Sequence, residues 1–145
     1  MSAEAKNNPH ALEDRFEKFI STFHGAILGT IRREAFKCHL NMSQVEVLRY
    51  VTERGNPTMK EVAEYIHIKP PSVTSIVESL SKSGLLHRQP DKKDSRIVRV
   101  SITPKASRVI ANMREKKKEE IKKMFAKLPQ SDRGEFARIL QVLDD

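Results

Sequence analysis

Residues 69–83, KPPSVTSIVESLSKS, decide which fold this chain adopts. Their apolar residues recur at the spacing of one helix face, i, i+3, i+4 and i+7. These residues are Val73, Ile76, Val77 and Leu80. Pro70 and Pro71 are tolerated in a first helical turn, where their missing N–H groups would have no helical partner in any case. Because Gly84 favours the left-handed conformation that ends helices, the stretch predicts a helix from about Pro70 to Ser83.

The face of this helix opposite the apolar stripe is small and polar. It carries Pro71, Ser72, Thr74, Ser75, Glu78, Ser79 and Lys82. At about 100° per residue, these side chains lie opposite the stripe or on its flanks. Since most of them are short, the face can approach another surface closely.

Two shorter helices are predicted on the N-terminal side of the 69–83 stretch. Ser43–Glu46 and Thr58–Glu61 each have the pattern of a capping box, in which a hydroxyl and a carboxylate satisfy free backbone donors at a helix start. Residues 55–57, Gly-Asn-Pro, end the first of these helices. A tight turn at residues 67–68 then joins the second helix to the 69–83 stretch. A short helix, a tight turn and a further helix form a helix-turn-helix unit.

A charged hairpin is predicted after this unit. Apolar and polar residues alternate at Leu85–Gln89 and Arg96–Ile102, which is typical of strands. Residues 90–95, PDKKDS, lie between them and have the composition of a turn. A hairpin placed here can reach along the same ligand as the helix-turn-helix, and a merely solvated hairpin is the alternative.

Long amphipathic helices are predicted at both ends of the chain. The first runs from about Ala11 to Lys37, another begins at Thr103-Pro104, and the last follows Pro129. Their apolar stripes are longer than a small globule covers, so burial against a second copy of the chain is expected. The stripes consist of Leu12, Phe16, Phe19, Ile20, Phe23, Ile27 and Ile31, and of Phe136, Ile139, Leu140 and Leu143. An ordinary core helix is the alternative for the first.

The 145-residue chain has a formal net charge of +8, and this charge is unevenly distributed. Residues 69–99 contain seven basic and three acidic side chains, so half of the excess lies in about a fifth of the chain. Such a concentration favours a polyanion as partner. The single cysteine excludes an internal disulfide framework and fits a reducing compartment. Because the N-terminus is polar and no apolar run is long enough to span a membrane, a cytoplasmic protein is expected.

Three segments resemble the MarR family of winged helix-turn-helix transcription regulators. They are LNMSQVEVLRYV at Leu40–Val51, MKEVAEYIHIKPPSVTSIVESLSKSGLL at Met59–Leu86, and Asp94-Ser95-Arg96 followed by a strand and ITPKA at Ile102–Ala106. The resemblance implies a mainly α (α+β) fold, a winged helix-turn-helix with N- and C-terminal dimerisation helices. It implies a flexible tail at 1–10 and one domain at 11–145, in which dimerisation helices at 11–40 and 104–145 accompany a DNA-binding lobe at 41–103.

The resemblance also implies a function. The protein would be a homodimer that binds pseudo-palindromic double-stranded DNA as a repressor and is released by a small aromatic or other effector. The 69–83 helix would be the recognition helix, and Arg96 would be the wing-tip arginine with Asp94 as its partner. The residues expected at the DNA are Lys69, Pro71, Ser72, Thr74, Ser75, Ser79, Lys82, Arg88, Lys92, Lys93, Asp94 and Arg96. Those expected near an effector are His24, Ile27, Ile31 and Met113, and no cofactor or metal is expected.

The chemistry of these residues indicates how DNA would be read. Short hydroxyls and one lysine on the recognition helix predict few direct base contacts, some of them to thymine methyls or through water. Specificity then depends on DNA shape, and an arginine at a hairpin tip suits a narrow minor groove. Lys69, Lys92, Lys93 and unpaired N–H groups at the amino end of the helix are expected to bind phosphates.

Three other functions compete with this one. An enzyme is disfavoured because the sequence has no glycine-rich phosphate loop and no catalytic spacing of its cysteine and histidines. A metal-responsive regulator would use Cys38, His39 and His24, but adjacent residues on a helix point to different faces and this spacing matches no standard site. A redox-responsive regulator would use Cys38, which is expected to be structural. A winged-helix module that binds protein rather than DNA would not concentrate its charge on the hairpin.

Overall fold

A computed structural model of the chain describes residues 10–144. Within this range, the chain forms helices, one antiparallel hairpin and a short 3-10 turn. The elements are α1 (Ala11–Lys37), α2 (Met42–Arg54), α3 (Met59–Ile66), α4 (Pro70–Lys82), β1 (Leu86–Pro90), β2 (Val98–Ile102), α5 (Pro104–Phe125), the 3-10 turn (Gln130–Asp132) and α6 (Arg133–Asp144). This order confirms the mainly α winged helix-turn-helix. The expected flexible tail lies outside the described residues, apart from His10.

The described residues divide into two compact units. The first unit contains α1 up to Thr30 and the chain from Lys116 onward, and the second unit is Ile31–Glu115. The division therefore falls inside α1 and α5. No helix among residues 10–144 combines the length and the apolar character that crossing a membrane requires.

The hydrophobic core of the second unit is built from every helix of the helix-turn-helix and from the hairpin. Its largest side chains that are almost completely buried are Leu48, Leu80, Val47, Val51, Val62, Val73, Val77 and Val100. The three from α4 belong to the apolar stripe that the sequence predicts. Burial of this stripe fixes which face of α4 remains in solvent, because a helix rotated by one residue would expose it.

The helix starts confirm one predicted capping box and correct the other. At α3, Thr58 accepts a hydrogen bond from the backbone N–H of Glu61 at 3.1 Å, and the Glu61 carboxylate accepts one from the N–H of Thr58 at 2.7 Å. At α2, the box expected at Ser43–Glu46 is wrong, since Asn41 and Gln44 form the reciprocal pair at 2.9 Å. The side-chain oxygens of Asn41 and Gln44 accept hydrogen bonds as the hydroxyl of Ser43 and the carboxylate of Glu46 would. The helix therefore begins two residues earlier than predicted.

Helix α4 begins at Pro70 as predicted and ends at Lys82, one residue before the predicted Ser83. Lys69 precedes it with an extended backbone, and Pro70 and Pro71 occupy its first two positions. At its end, Gly84 has a φ of +72°, which a residue with a Cβ rarely adopts. The N–H of Leu85 then donates to the carbonyl of Leu80 at 2.9 Å, which returns the chain to the core.

The hairpin that follows, residues 86–102, is called the wing. Its strands pair antiparallel, with Leu86 opposite Ile102 and Pro90 opposite Val98. The second strand begins at Val98 rather than at Arg96, because residues 91–97 form a turn stabilised by side-chain carboxylates. The first strand correspondingly extends to Pro90 rather than ending at Gln89.

The terminal helices form as predicted, with different ends. Thr103 caps α5 by accepting a hydrogen bond from the N–H of Ala106 at 3.2 Å. This helix ends at Phe125 although the apolar pattern continues to Leu128, since residues 126–128 form turns before Pro129. In the first unit, Phe125 packs edge-to-face against Phe136 of α6 with ring centroids 5.5 Å apart.

Candidate nucleic-acid interface

The outward face of α4 carries most of the side chains predicted to contact DNA. Exposed on it are Lys69, Pro71, Ser72, Ser75, Ser79 and Lys82, and Thr74 is half-buried. Within residues 10–144, the hydroxyls of Ser72 and Ser75 have no hydrogen-bond partner. The Thr74 hydroxyl instead donates to the carbonyl of Pro70 at 3.1 Å. The hydroxyls of this face that are free to bind a ligand are therefore those of Ser72 and Ser75.

Gln44 joins α2 to α4, and the sequence does not predict this contact. Its amide oxygen caps α2, and its amide nitrogen donates to the Ser79 hydroxyl at 3.1 Å. The two residues are 35 positions apart in the chain, so only the fold brings them together. The glutamine at the third position of a helix is the one local sign of a capping role.

The amino end of α4 differs from the prediction that free N–H groups there would bind phosphate. Pro70 and Pro71 have no N–H, and the N–H groups of Ser72 and Val73 both donate to the carbonyl of Lys69, at 3.0 and 3.2 Å. The expectation of unpaired donors is therefore wrong. The helix dipole and the Lys69 ammonium are what this end can offer an anion.

The wing tip, residues 91–97, holds its arginine in a defined position. Asp94 accepts two hydrogen bonds from the Arg96 guanidinium, from Nε and Nη2, each at 3.0 Å. It also accepts one from the Arg96 backbone N–H at 3.1 Å. The Arg96 side chain is nevertheless 89% exposed. Because a guanidinium has five N–H donors, three remain free for a ligand. The Arg96 hydrogen bonds are the main reason that the pKa of Asp94 lies below its usual value.

A second carboxylate, Asp91, organises the other half of the tip. One of its oxygens accepts hydrogen bonds from the N–H groups of Lys93 and Asp94, at 2.9 and 3.1 Å. Its other oxygen pairs with Nε of Arg99 on β2. In the sequence, Arg99 is recognisable only as one of the seven basic residues of 69–99. An aspartate at the start of a turn is the sequence signal that predicts its backbone contacts, and nothing local predicts the arginine.

Lysines supply the unpaired positive charge of this region. Lys69, Lys82, Lys92 and Lys93 are exposed, and no carboxylate of residues 10–144 forms an ion pair with any of them. Arg88 differs, since its guanidinium lies 3.7 Å from Glu78 on α4. Mobile lysine ammonium groups suit phosphates, whereas held guanidinium groups suit a defined position in a groove.

The pKa of Asp91 gives a test of the tip geometry. The Arg99 hydrogen bond, followed by the N–H groups of Lys93 and Asp94, lowers this pKa from 3.8 to about 2. Because the pKa is lowered on folding, the ionised Asp91 carboxylate stabilises the folded state. This contribution is fully present above the ordinary pKa of 3.8 and is lost as the pH falls through about 2. A carbon NMR titration should show the Asp91 carboxyl with a midpoint near 2, and Arg99→Ala should move it up. A midpoint near 3.8 in the unmodified chain would contradict the geometry.

The residues predicted near an effector have different environments. His24 is exposed, Ile27 and Met113 are buried, and Ile31 is half-buried. The first unit contains a cavity of about 330 Å³, lined mainly by Phe19, Phe23, Phe125, Phe136 and Leu128. None of the four residues predicted near an effector lines it.

The metal- and redox-responsive alternatives depend on Cys38 and on the groups around it. Cys38 is half-buried and packs against the core of the second unit. In the described part of the chain, no three His, Cys, Asp or Glu side chains come together as metal ligands.

Comparison with known proteins connects this geometry to a family. The model of the MarR family matches residues 40–98, from the connection between α1 and α2 to the start of β2. The HTH-type transcriptional repressor IacR of Pseudomonas putida is 26% identical over 141 residues, which cover 94% of this chain and 84% of that protein.

Solved structures show the same fold. The transcriptional regulator Tm0710 of Thermotoga maritima superposes with a TM-score of 0.80 at 22% identity, over 90% of this chain and 92% of that one. A MepR variant of S. aureus, solved bound to an oligodeoxyribonucleotide, gives 0.74 at 14% identity, over 89% of this chain and 96% of that one. Members of the family are transcription regulators rather than enzymes, which confirms the expectation that this protein is not an enzyme. Residues 40–98 of the chain therefore match the MarR family of transcription regulators, and the described chain has the winged helix-turn-helix fold of the solved structures.

Proposed function

We propose that the protein is a homodimeric repressor that binds a pseudo-palindromic operator, with α4 in a major groove and the wing tip in the adjacent minor groove. The observation that carries this proposal is the Arg96 guanidinium. Asp94 holds it through two hydrogen bonds, yet the side chain is 89% exposed at the end of a hairpin. A rigid, exposed cation on a narrow support suits the electronegative minor groove of A·T-rich DNA.

The recognition helix would contribute limited direct readout. The free hydroxyls of Ser72 and Ser75 can donate to or accept from base edges, and the Thr74 methyl can contact a thymine methyl. Such contacts discriminate weakly, so sequence-dependent DNA shape at the wing would supply much of the specificity. Lys69, Lys82, Lys92 and Lys93 would bind phosphates and fix the register of the protein on the duplex.

Exposed apolar side chains in the first unit support the homodimer. Leu12 and Phe16 of α1 are 78% and 52% exposed, and Val142 and Leu143 of α6 are 63% and 64% exposed. Large apolar groups at this density are costly in water, and a two-fold symmetric partner is the simplest way to cover them. Two identical DNA-binding units would then meet two related half-sites.

Repression and release by an effector are inferred from similarity and from the sequence. IacR, which matches most of the chain, is named a transcriptional repressor, and repression is proposed here by that similarity. A small aromatic effector, with His24, Ile27, Ile31 and Met113 near its site, remains a prediction from the sequence. A regulator that binds chromosomal DNA in this way would act where the chromosome lies, which is the cytoplasm in bacteria such as the source of IacR.

Selection of DNA by the full-length protein tests the proposal. Duplexes bound from a randomised pool are sequenced, and a two-fold symmetric motif is expected. Its half-site centres should be about 10 to 10.5 base pairs apart, or a multiple of this, because both recognition helices enter the same side of the duplex. An A·T-rich segment is expected where the wing lies. A single unrepeated half-site would contradict the dimeric mode, and a pool without enrichment would contradict the function.

A further inference from the structure

Arg99 lies on β2 opposite Gln89, close to the wing tip, and contacts two separate parts of the second unit. Its Nε pairs with Asp91 in the wing tip, and its Nη1 donates to the carbonyl of Asn56 at 2.9 Å. Asn56 belongs to the turn between α2 and α3, 43 positions earlier in the chain. One side chain thus connects the wing tip to the turn that leads into the helix-turn-helix.

We propose that Arg99, acting with Asp91, is a positioning residue for DNA recognition, which sets where Arg96 stands relative to α3 and α4. This inference rests on the proposed function and names how its wing is aligned. Arg99 itself would contact no DNA.

The backbone around Arg99 supports the same connection. Thr58, the cap of α3, forms an isolated antiparallel bridge with Arg99, and the N–H of Val100 donates to the carbonyl of Pro57 at 2.9 Å. The start of α3 is therefore joined to β2 through main-chain contacts, and the Arg99 side chain extends this connection to the tip.

Asp91 completes the link from Arg99 to Arg96. One of its oxygens binds the N–H groups of Lys93 and Asp94, and Asp94 in turn binds the Arg96 guanidinium. Only a carboxylate has separate oxygens for the tip amides and for Arg99, since an asparagine at this position would offer one acceptor oxygen. The contacts thus run without a break from Asn56 to Arg96.

The exposure of the two wing arginines separates their roles. The Arg99 side chain is 34% exposed and its partner Asp91 only 15%, whereas Arg96 is 89% exposed. Nε and Nη1 of Arg99 are both occupied, on opposite sides of the guanidinium. Arg99 is therefore arranged to hold protein groups, and its charge is offset by Asp91.

Two full-length variants, Arg99→Lys and Asp91→Asn, test the inference through binding specificity, and a third, Arg99→Ala, tests it through the salt dependence. Lysine keeps the charge but cannot bridge two acceptors with a planar fork. Asparagine leaves one more net positive charge on the wing, which should slightly strengthen non-specific binding. Since both disturb the link, we expect each to reduce the ratio of affinities for the selected operator and a random duplex by roughly 5- to 10-fold, as one mismatched contact would. Arg138→Lys, which alters the exposed Arg138–Glu135 pair of α6, is the matched control and should leave the ratio unchanged.

The dependence of log affinity on log salt provides the second readout. A positioning role leaves this slope as in the unmodified protein, whereas a direct phosphate contact at Arg99 would flatten it by about one unit per contact in Arg99→Ala. The inference is overturned by a flattened slope, by an unchanged ratio in both variants, or by equal losses on both duplexes. Failure of the unmodified protein to prefer the selected operator would instead overturn the proposed function.

Discussion

Arg96→Ala is expected to weaken binding to the selected operator by about 1–3 kcal/mol and to remove much of the preference for A·T at the wing. The reason is the geometry of the tip, where Asp94 holds an exposed guanidinium that alanine cannot replace. Fluorescence anisotropy on the operator, on a variant with G·C at the wing position and on a random duplex measures both effects. Asp94→Ala should be milder, since it frees the arginine without removing its charge.

Lys92→Ala is the matched comparison on the same tip. Lys92 is exposed and forms no ion pair within the described residues, so it is expected to bind phosphate. Its loss should weaken all three duplexes alike and flatten the salt dependence by about one unit per phosphate contact, counted twice in a dimer. If Arg96→Ala binds all three duplexes as the unmodified protein does, the wing is only a solvated turn.

Removal of α6 is expected to abolish the dimer. A chain that ends at Leu128 loses the exposed apolar residues Ile139, Leu140, Val142 and Leu143. Light scattering should then show a monomer or an aggregate. Affinity for the two-fold operator should fall by a factor of about 10² or more, because the second half-site no longer benefits from linkage. A well-behaved dimer of the shortened chain would contradict this account.

A point substitution separates loss of the dimer from loss of the helix. Leu143→Glu places a charge on the apolar face of α6, and Gln141→Glu places the same charge on its opposite face. We expect the first variant to shift light scattering toward monomer at micromolar concentration and the second to remain dimeric. Identical behaviour of the two would show that the apolar face of α6 does not hold the dimer.

Long periodic elements could be predicted from the sequence because their signals are local. The spacing of Val73, Val77 and Leu80 predicts both the existence of α4 and the face that it buries. The capping pair of α3 could also be predicted, because it depends on two residues only three positions apart, Thr58 and Glu61. At α2 two overlapping pairs fit the same rule. In the structure the capping box is formed by Asn41 and Gln44, next to the buried Leu40. Which of the two pairs forms the box depends on tertiary packing.

The contacts that position the site could not be predicted, because they join distant segments. Periodicity places Arg99 on the outer side of a strand, where it counts only as a charge, and its contact with Asn56 depends on the fold. The bond between Gln44 and Ser79 is missed for the same reason. The free donors expected at the start of α4 were wrong, since paired prolines remove two N–H groups and Lys69 accepts from the next two.

The most direct test of sequence-specific DNA binding is the ratio of two dissociation constants. Anisotropy at physiological salt compares the full-length protein on its selected operator and on a random duplex of equal length. We expect the operator to be bound more tightly by a factor of about 10³ or more, the range in which specific and non-specific binding of such proteins differ. Equal affinities for the two duplexes would show that the chain binds DNA only through its charge, and would contradict the account.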